Sequence, residues 1–247
     1  MKLGKKKNSF FDIKASVDGK SADVFIYGEI TKWAWEEFGE MSSTIFKEKL
    51  DEVEDIDTIH LYVNSPGGSV FEGVAIANMI KRHKARVIAH VDALAASIAS
   101  VLIMAADEIR MPSNSMLMIH NAWTWASGNA EALRKAADDL ERINQSTMQM
   151  YLEKAGDKLN EDTLKELLDN ETWLSAEEAL NYGLCDVVEE SNSMVASISD
   201  KYKKQYKNLP QLLQQQKPTE MSADEKALRE QILADSKANL TYLQTIL

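Results

Sequence analysis

Cysteine is almost missing from this chain of 247 residues, in which Cys185 is the only one. That excludes an internal disulfide and any multi-cysteine metal site, and it fits a reducing cytoplasm. Set between Leu184 and Val187, Cys185 reads as a small core residue. Positive charge is also scarce: 28 Lys and Arg face 39 Asp and Glu, a formal net charge of -11. A sequence-independent grip on nucleic-acid phosphates is therefore not expected. Long apolar runs are missing as well, since no window approaches the roughly 20 apolar residues of a membrane span. Lys2, Lys5, Lys6 and Lys7 make a basic start, but Asn8 to Lys14 supplies no apolar stretch, so the sequence reads as a non-exported, soluble, cytoplasmic protein. No nucleotide loop is visible, because Gly19-Lys20-Ser21 has Lys14 where a phosphate loop needs glycine. Nor do His and carboxylate residues recur at a metal-ligand spacing, so no metal or cofactor is expected.

What is present is an ordinary globular mixture, 45% hydrophobic and 27% charged, enough for one substantial core. Apolar runs and helical patterns alternate from Ala22 to Glu190, whereas 191–247 is rich in Lys, Gln, Ser and Asn. The expected organisation is an N-terminal segment 1–21, a main α/β domain 22–190 and a polar, partly helical extension 191–247. Val24 to Tyr27 reads as a strand closed by Gly28, and a helix carries Met41, Ile45, Leu50 and Val53 toward a core. Thr58 to Asn64 is β-branched and aromatic enough for a strand, and Ser65-Pro66-Gly67-Gly68 is expected to break it. Val70, Val74, Ala77 and Ile80 then recur at helical spacing. A second unit follows, with Arg86 to Val91 a buried strand, Ala93 to Ser97 a small-residue turn, and Ile98 to Ala106 an apolar helix. Short strands at Glu108 to Met111 and Met116 to Ile119 precede a long helix from about Asn129 to Lys154. Ser175-Ala176-Glu177-Glu178 is a capping box opening a helix that Gly183 closes, with Leu184 to Val188 as a last strand. In the tail, Ser222-Ala223-Asp224-Glu225 is a second capping box, leading into an amphipathic stripe of Leu228, Ile232, Leu240, Leu243 and Leu247.

Ser97 sits where a helix begins after a turn, and its alanine neighbours leave room for a substrate carbonyl, as a nucleophile elbow requires. A serine among alanines also serves as an ordinary N-cap. Gly67-Gly68 lets backbone N–H groups approach a ligand closely, which suits an oxyanion hole as well as a plain turn. A serine nucleophile needs a base. His60, His83 and His90 each have a structural explanation, whereas His120 directly follows a strand and opens an irregular segment from which it can reach a cleft. Asp169 and Glu171 are the acids placed to orient it, and spacing does not choose between them. Asp186, in an expected strand, is less suited.

Taken in order, Leu61-Tyr62-Val63-Asn64-Ser65-Pro66-Gly67-Gly68, Ala95-Ala96-Ser97, Met118-Ile119-His120 and Trp173-Leu174-Ser175-Ala176-Glu177-Glu178-Ala179 resemble ClpP, the proteolytic subunit of the Clp protease. The Glu-Thr-Trp-Leu-Ser form of the last block is most similar to phage and prophage members, which are often head maturation proteases. The resemblance implies a ClpP/crotonase fold of repeated strand, strand, helix units and a serine endopeptidase acting on polypeptides through an acyl-enzyme. Ser97 would be the nucleophile, His120 the base, and the amides of Gly68 and Ile98 the oxyanion hole. The family usually has aspartate where this chain has Glu171, with Asp169 as the alternative acid, and commonly glycine where it has Ala93 and Ala99. The resemblance also implies association into rings through the long helix, and an AAA+ unfoldase or capsid and scaffold proteins as partners. Two other readings share the fold: a catalytically silent assembly or scaffold protein, and a crotonase-type acyl-CoA enzyme.

Overall fold

The structure, a computed structural model, describes residues 14–15, 20–34, 40–52, 55–191 and 200–214. The basic start, Val53 and the second capping box with its stripe lie outside the described residues.

Among the described residues one mixed sheet of eight strands runs in the order β1-β2-β3-β4-β5-β8, with β6 paired to both β4 and β7. The first three are β1 (Lys14–Ala15), β2 (Ser21–Ile30) and β3 (Thr58–Gly68), followed by β4 (Arg86–Ala96) and β5 (Glu108–Pro112). The last three are β6 (Met116–Ile119), β7 (Thr172–Ser175) and β8 (Val187–Glu189). Pairing is parallel except for β1 with β2 and β6 with β7. Along β2, β3 and β4 the side chains alternate. Val24, Ile26, Ile59, Leu61, Val63, Val87, Ala89 and Val91 are buried on one face, while Phe25, Tyr62, His90 and Asp92 stay half-buried on the other. In β4 the fully buried face carries Val87, Ala89 and Val91, and Ile88, His90 and Asp92 on the other face are half-buried. Truncating a buried residue such as Leu61 to alanine costs about 2 to 5 kcal/mol, because the close-packed sheet cannot collapse into the space.

The helices are α1 (Ser43–Asp51), α2 (Val70–Arg82), α3 (Ile98–Ile103), α4 (Ala130–Ala155), α5 (Glu161–Asp169), α6 (Ala176–Asn181), α7 (Asp200–Gln205) and α8 (Gln211–Gln214). Asn129 caps α4, its side chain accepting from the Ala132 N–H. The Ser175/Glu178 capping box opens α6 with both reciprocal bonds formed. Gly73 lets α2 lie directly against α3, for a Cβ there would stand 2.2 Å from Ile98 Cγ1.

Several expectations are corrected. Gly28 does not end β2; at φ 109° it sits where the β2/β3 register shifts, so it is a bulge and pairing resumes to Ile30. Nor does Ser65-Pro66-Gly67-Gly68 break β3. The Ser65 hydroxyl donates to the Gly28 carbonyl (2.6 Å) and accepts from the Gly67 N–H (3.1 Å), holding the irregular end in the sheet. Ala93 to Ala96 is strand as well, because Leu94, Ala95 and Ala96 gain a second neighbour in β6. The helix after Ser97 stops at Ile103, and the last strand starts at Val187. Leu184 and Cys185 are buried just before it. Burial pushes the Cys185 thiol up to about 11. The compact unit runs through Gln214. Tyr202, Tyr206, Leu209 and Leu213 form a second core with Ala93, Leu94, Ala96, Met118 and Trp173.

Candidate active site

Three adjacent strands deliver three side chains to one edge of the sheet. In the register of β4 with β6, Ala96 lies beside Met118, and in that of β6 with β7, Ile119 lies beside Thr172. Ser97 follows β4 by one residue, His120 follows β6 by one, and Glu171 precedes the antiparallel β7 by one. Topology alone thus gathers the serine, the histidine and an acid. The Ser97 N–H also donates to the Met118 carbonyl at 2.9 Å, fixing the turn against the histidine's strand.

Ser97 has φ 55° and ψ -129°, a conformation an L-residue adopts at a cost of order 1 to 3 kcal/mol. The surrounding strand and helix impose it, and it lifts the side chain out of the strand's line toward the cleft. Ser97 Oγ stands 2.7 Å from His120 Nε2, within reach for the hydroxyl to donate to the ring. Around them is a cleft of about 320 Å³ lined by Gly68, Ser69, Ser97, His120, Trp123 and Tyr202, among others. Burial lowers the pKa of His120; the negative charge of Glu171 opposes that shift, and the positive charge of Lys207 adds to it. The imidazole is therefore neutral at neutral pH and able to accept a proton.

The two acids fare differently. Glu171 is 6% exposed and, like Ser97, lies in the left-handed region, at φ 47°. Its Oε1 accepts from the Asn208 N–H at 2.8 Å, and its charge is felt by His120. Among the described residues no hydrogen bond joins it to His120. Asp169 ends α5 and accepts from the Asn121 side chain at 2.6 Å. Asp186 accepts from the Ile109 N–H (2.7 Å) and pairs with Lys154 (2.7 Å) in the body of the fold.

Gly67 comes within contact of the serine, while Gly68 packs on the end of β2. A Cβ on Gly67 (φ 91°) would stand 2.6 Å from the Ala96 carbonyl oxygen and 2.7 Å from Ser97 Cβ. One on Gly68 (φ 145°) would stand 2.0 Å from the Ile30 carbonyl oxygen. Ile98 opens α3, where a first-turn amide has no partner within the helix. His60 and His90 face one another across β3 and β4, ring nitrogens 3.1 Å apart, in a half-buried stack with Tyr62. His83 accepts from the Ala85 N–H at 3.1 Å. Among the described residues no His, Cys, Asp or Glu side chains cluster to hold a metal ion. No helix among them is long and apolar enough to cross a membrane.

Residues 6–192 match the family model for Clp protease. The chain belongs to the Clp protease family. A ClpP1 mutant from Listeria monocytogenes superposes with a TM-score of 0.58 at 26% identity, covering 68% of this chain and 91% of that one. The ATP-dependent Clp protease proteolytic subunit 1 of Prochlorococcus marinus (strain MIT 9312) is 34% identical over 140 residues, 56% of this chain and 71% of that protein. Subunit 2 of Synechococcus sp. (strain CC9605) is 32% identical over 150 residues, 60% of this chain and 74% of that protein. The mixed α/β sheet with its long α4 is accordingly the ClpP fold.

What sequence reading missed lies beyond the Clp protease match. Lys201, Tyr202 and Gln205 help line the cleft, and the Tyr206 ring stands edge-on to His120, centroids 5.7 Å apart at 88°. The signal was faint: two tyrosines four apart in a Lys- and Gln-rich stretch otherwise typical of solvated chain.

Proposed function

We propose that this Clp protease family member is a serine endopeptidase in which Ser97 attacks the peptide carbonyl and His120 takes its proton. The observation that carries the reading is the 2.7 Å approach of Ser97 Oγ to His120 Nε2 at a serine held in the left-handed region. On attack the proton passes to Nε2, and the carbonyl oxygen becomes an oxyanion facing the amides of Gly68 and Ile98. Collapse expels the amine, which takes the proton from His120, leaving an ester on Ser97. Water, deprotonated by the same histidine, then hydrolyses that ester and frees the serine. Glu171 stabilises the imidazolium that forms twice in the cycle. Losing one oxyanion donor in such a site lowers turnover on the order of 100-fold to 1000-fold.

Substrate lies extended beside the end of β3, its backbone pairing with the edge after Gly68 and with the segment from Trp123 to Gly128. Selectivity for side chains is low in such a mode, and assembly into rings would supply the missing control. The first turns of α4 support this, because Leu133 and the preceding Trp125 are exposed, the latter by 91%. An AAA+ unfoldase would deliver unfolded chains to such a ring, and the phage-like Glu171 to Ser175 block makes capsid and scaffold proteins the first native substrates to offer. The test is proteolysis of a permanently unfolded polypeptide, with fragments read by mass spectrometry. The wild type should produce peptides and Ser97→Ala none; equal fragmentation by both would overturn the reading.

A further inference from the structure

Three consecutive residues of the C-terminal strap act on the site, two by contact and one by its charge. Tyr206 donates its hydroxyl to the carbonyl of Pro66, next to the glycines that end β3. Its ring stands edge-on to His120 and, at 5.6 Å and 78°, to Trp173. Asn208 gives its main-chain N–H to Glu171 (2.8 Å) and its side-chain amide to the Asn170 carbonyl (2.6 Å). The charge of the intervening Lys207 acts on His120. The strap is anchored rather than draped, because Tyr202, Tyr206, Leu209 and Leu213 are all buried against the sheet.

Glu171 explains why such a strap is needed. A glutamate reaches the imidazole through one more methylene than an aspartate, so its carboxylate has one more torsion to fix before it can orient a histidine. Within the described residues, the Asn208 N–H is the one hydrogen-bond donor to that carboxylate. The bond is charge-assisted and comes from the main chain, so it is rigid as well as strong. The Asn170 carbonyl bond holds the same turn from its other side.

We propose that Tyr206 and Asn208 are positioning residues of the active site, the Asn208 N–H aiming the Glu171 carboxylate and the Tyr206 ring shielding His120 from water. The inference rests on the serine endopeptidase reading and adds to it a part of the machinery contributed by 200–214, beyond the stretch matched by the family.

The experiment is the rate of fluorophosphonate labelling at Ser97 across pH on the full chain, with thermal melting beside it. Asn208→Pro deletes the N–H and slows labelling on the order of 100-fold, the scale of a misplaced catalytic group. Asn208→Ala keeps the N–H and recovers most of that loss, which a merely structural role for the asparagine side chain would not produce. Tyr206→Ala admits water to His120, raising its pKa and moving the acid limb of the labelling profile to higher pH. Tyr206→Phe keeps the ring and leaves that limb in place. The groups that set the limb are His120, Glu171 and Lys207, all retained in the Tyr206 variants. A labelled wild type matched in rate and pH profile by folded Asn208→Pro and Tyr206→Ala would overturn the inference and leave the endopeptidase reading standing. If Asn208→Pro does not fold, an acid limb unmoved in Tyr206→Ala overturns it alone. A wild type that takes no label at any pH overturns both.

Discussion

Tyr151 on α4 is joined to the backbone of Ser97 through one hydroxyl. Ser100 Oγ lies 2.6 Å from Tyr151 Oη and donates to the Ser97 carbonyl at 2.6 Å, so the tyrosine is the donor in the first bond. Both side chains are fully enclosed, and burial pushes the phenol above its ordinary range. The long helix is thereby tied to the turn that presents the nucleophile. Tyr151→Phe removes one buried bond without opening a cavity and should cost about 1 kcal/mol in thermal unfolding. It should also slow Ser97 labelling more than the distant substitution Leu164→Ala does, although that truncation of a buried leucine costs more stability; equal or lesser slowing would mean that the link is only structural.

The two acids separate by their partners. Glu171→Ala leaves the imidazolium unsupported and should lower peptide hydrolysis on the order of 1000-fold to 10,000-fold, as loss of the orienting acid does in serine triads. Asp169→Ala removes only the bond to Asn121 and should change the rate by less than about threefold, the scale of an exposed contact. Initial rates on one peptide substrate decide it.

Glycine at 67 and 68 is required by space and by conformation together. Gly67→Ala drives a methyl into the Ala96 carbonyl and Ser97 Cβ at positive φ, so it should abolish labelling even where the fold survives. Gly68→Ala meets the Ile30 carbonyl oxygen at 2.0 Å and should lower the melting temperature more than Gly67→Ala does. Melting curves and labelling measured in parallel test both halves.

Acid should act on rate and stability in the same direction. His120 must be neutral to accept the Ser97 proton, and burial holds its pKa below the usual value near 6.5, so activity should persist below that pH before falling. His90 is depressed too, by burial and then by His60. For both, the unfolded chain binds protons more readily than the folded one. Their stabilising effect is thus present above about pH 6.5 and lost as pH falls through the window below it. A pH series of melting temperatures should show this loss, and His90→Gln should make it smaller.

The site was more legible in the sequence than its surroundings. His120 directly follows an apolar run readable as a strand, and Ser97 falls where a small-residue turn gives way to an apolar helix, so both could be placed beside a cleft. Ala93 to Ala96 could not, because small residues have no decisive propensity and pairing with both β3 and β6 decides their state. The glycines misled for a related reason: Gly28, Gly67 and Gly68 look like punctuation, yet here they serve a bulge and a close approach within strands. α5 was overlooked although Asn160 caps it and Leu164 and Leu168 repeat at helical spacing. Tyr206 and Asn208 were beyond reach, since one works through a ring packed on another segment and the other through a main-chain N–H that every non-proline residue has.

The central claim is that Ser97 is a nucleophile activated by His120. The most direct measurement is fluorophosphonate labelling of the intact protein, the site read by mass spectrometry, beside Ser97→Ala and His120→Ala. Label on Ser97 alone in the wild type, lost in both variants, is the predicted result. Absence of label in the wild type, or label that persists undiminished in His120→Ala, would contradict it.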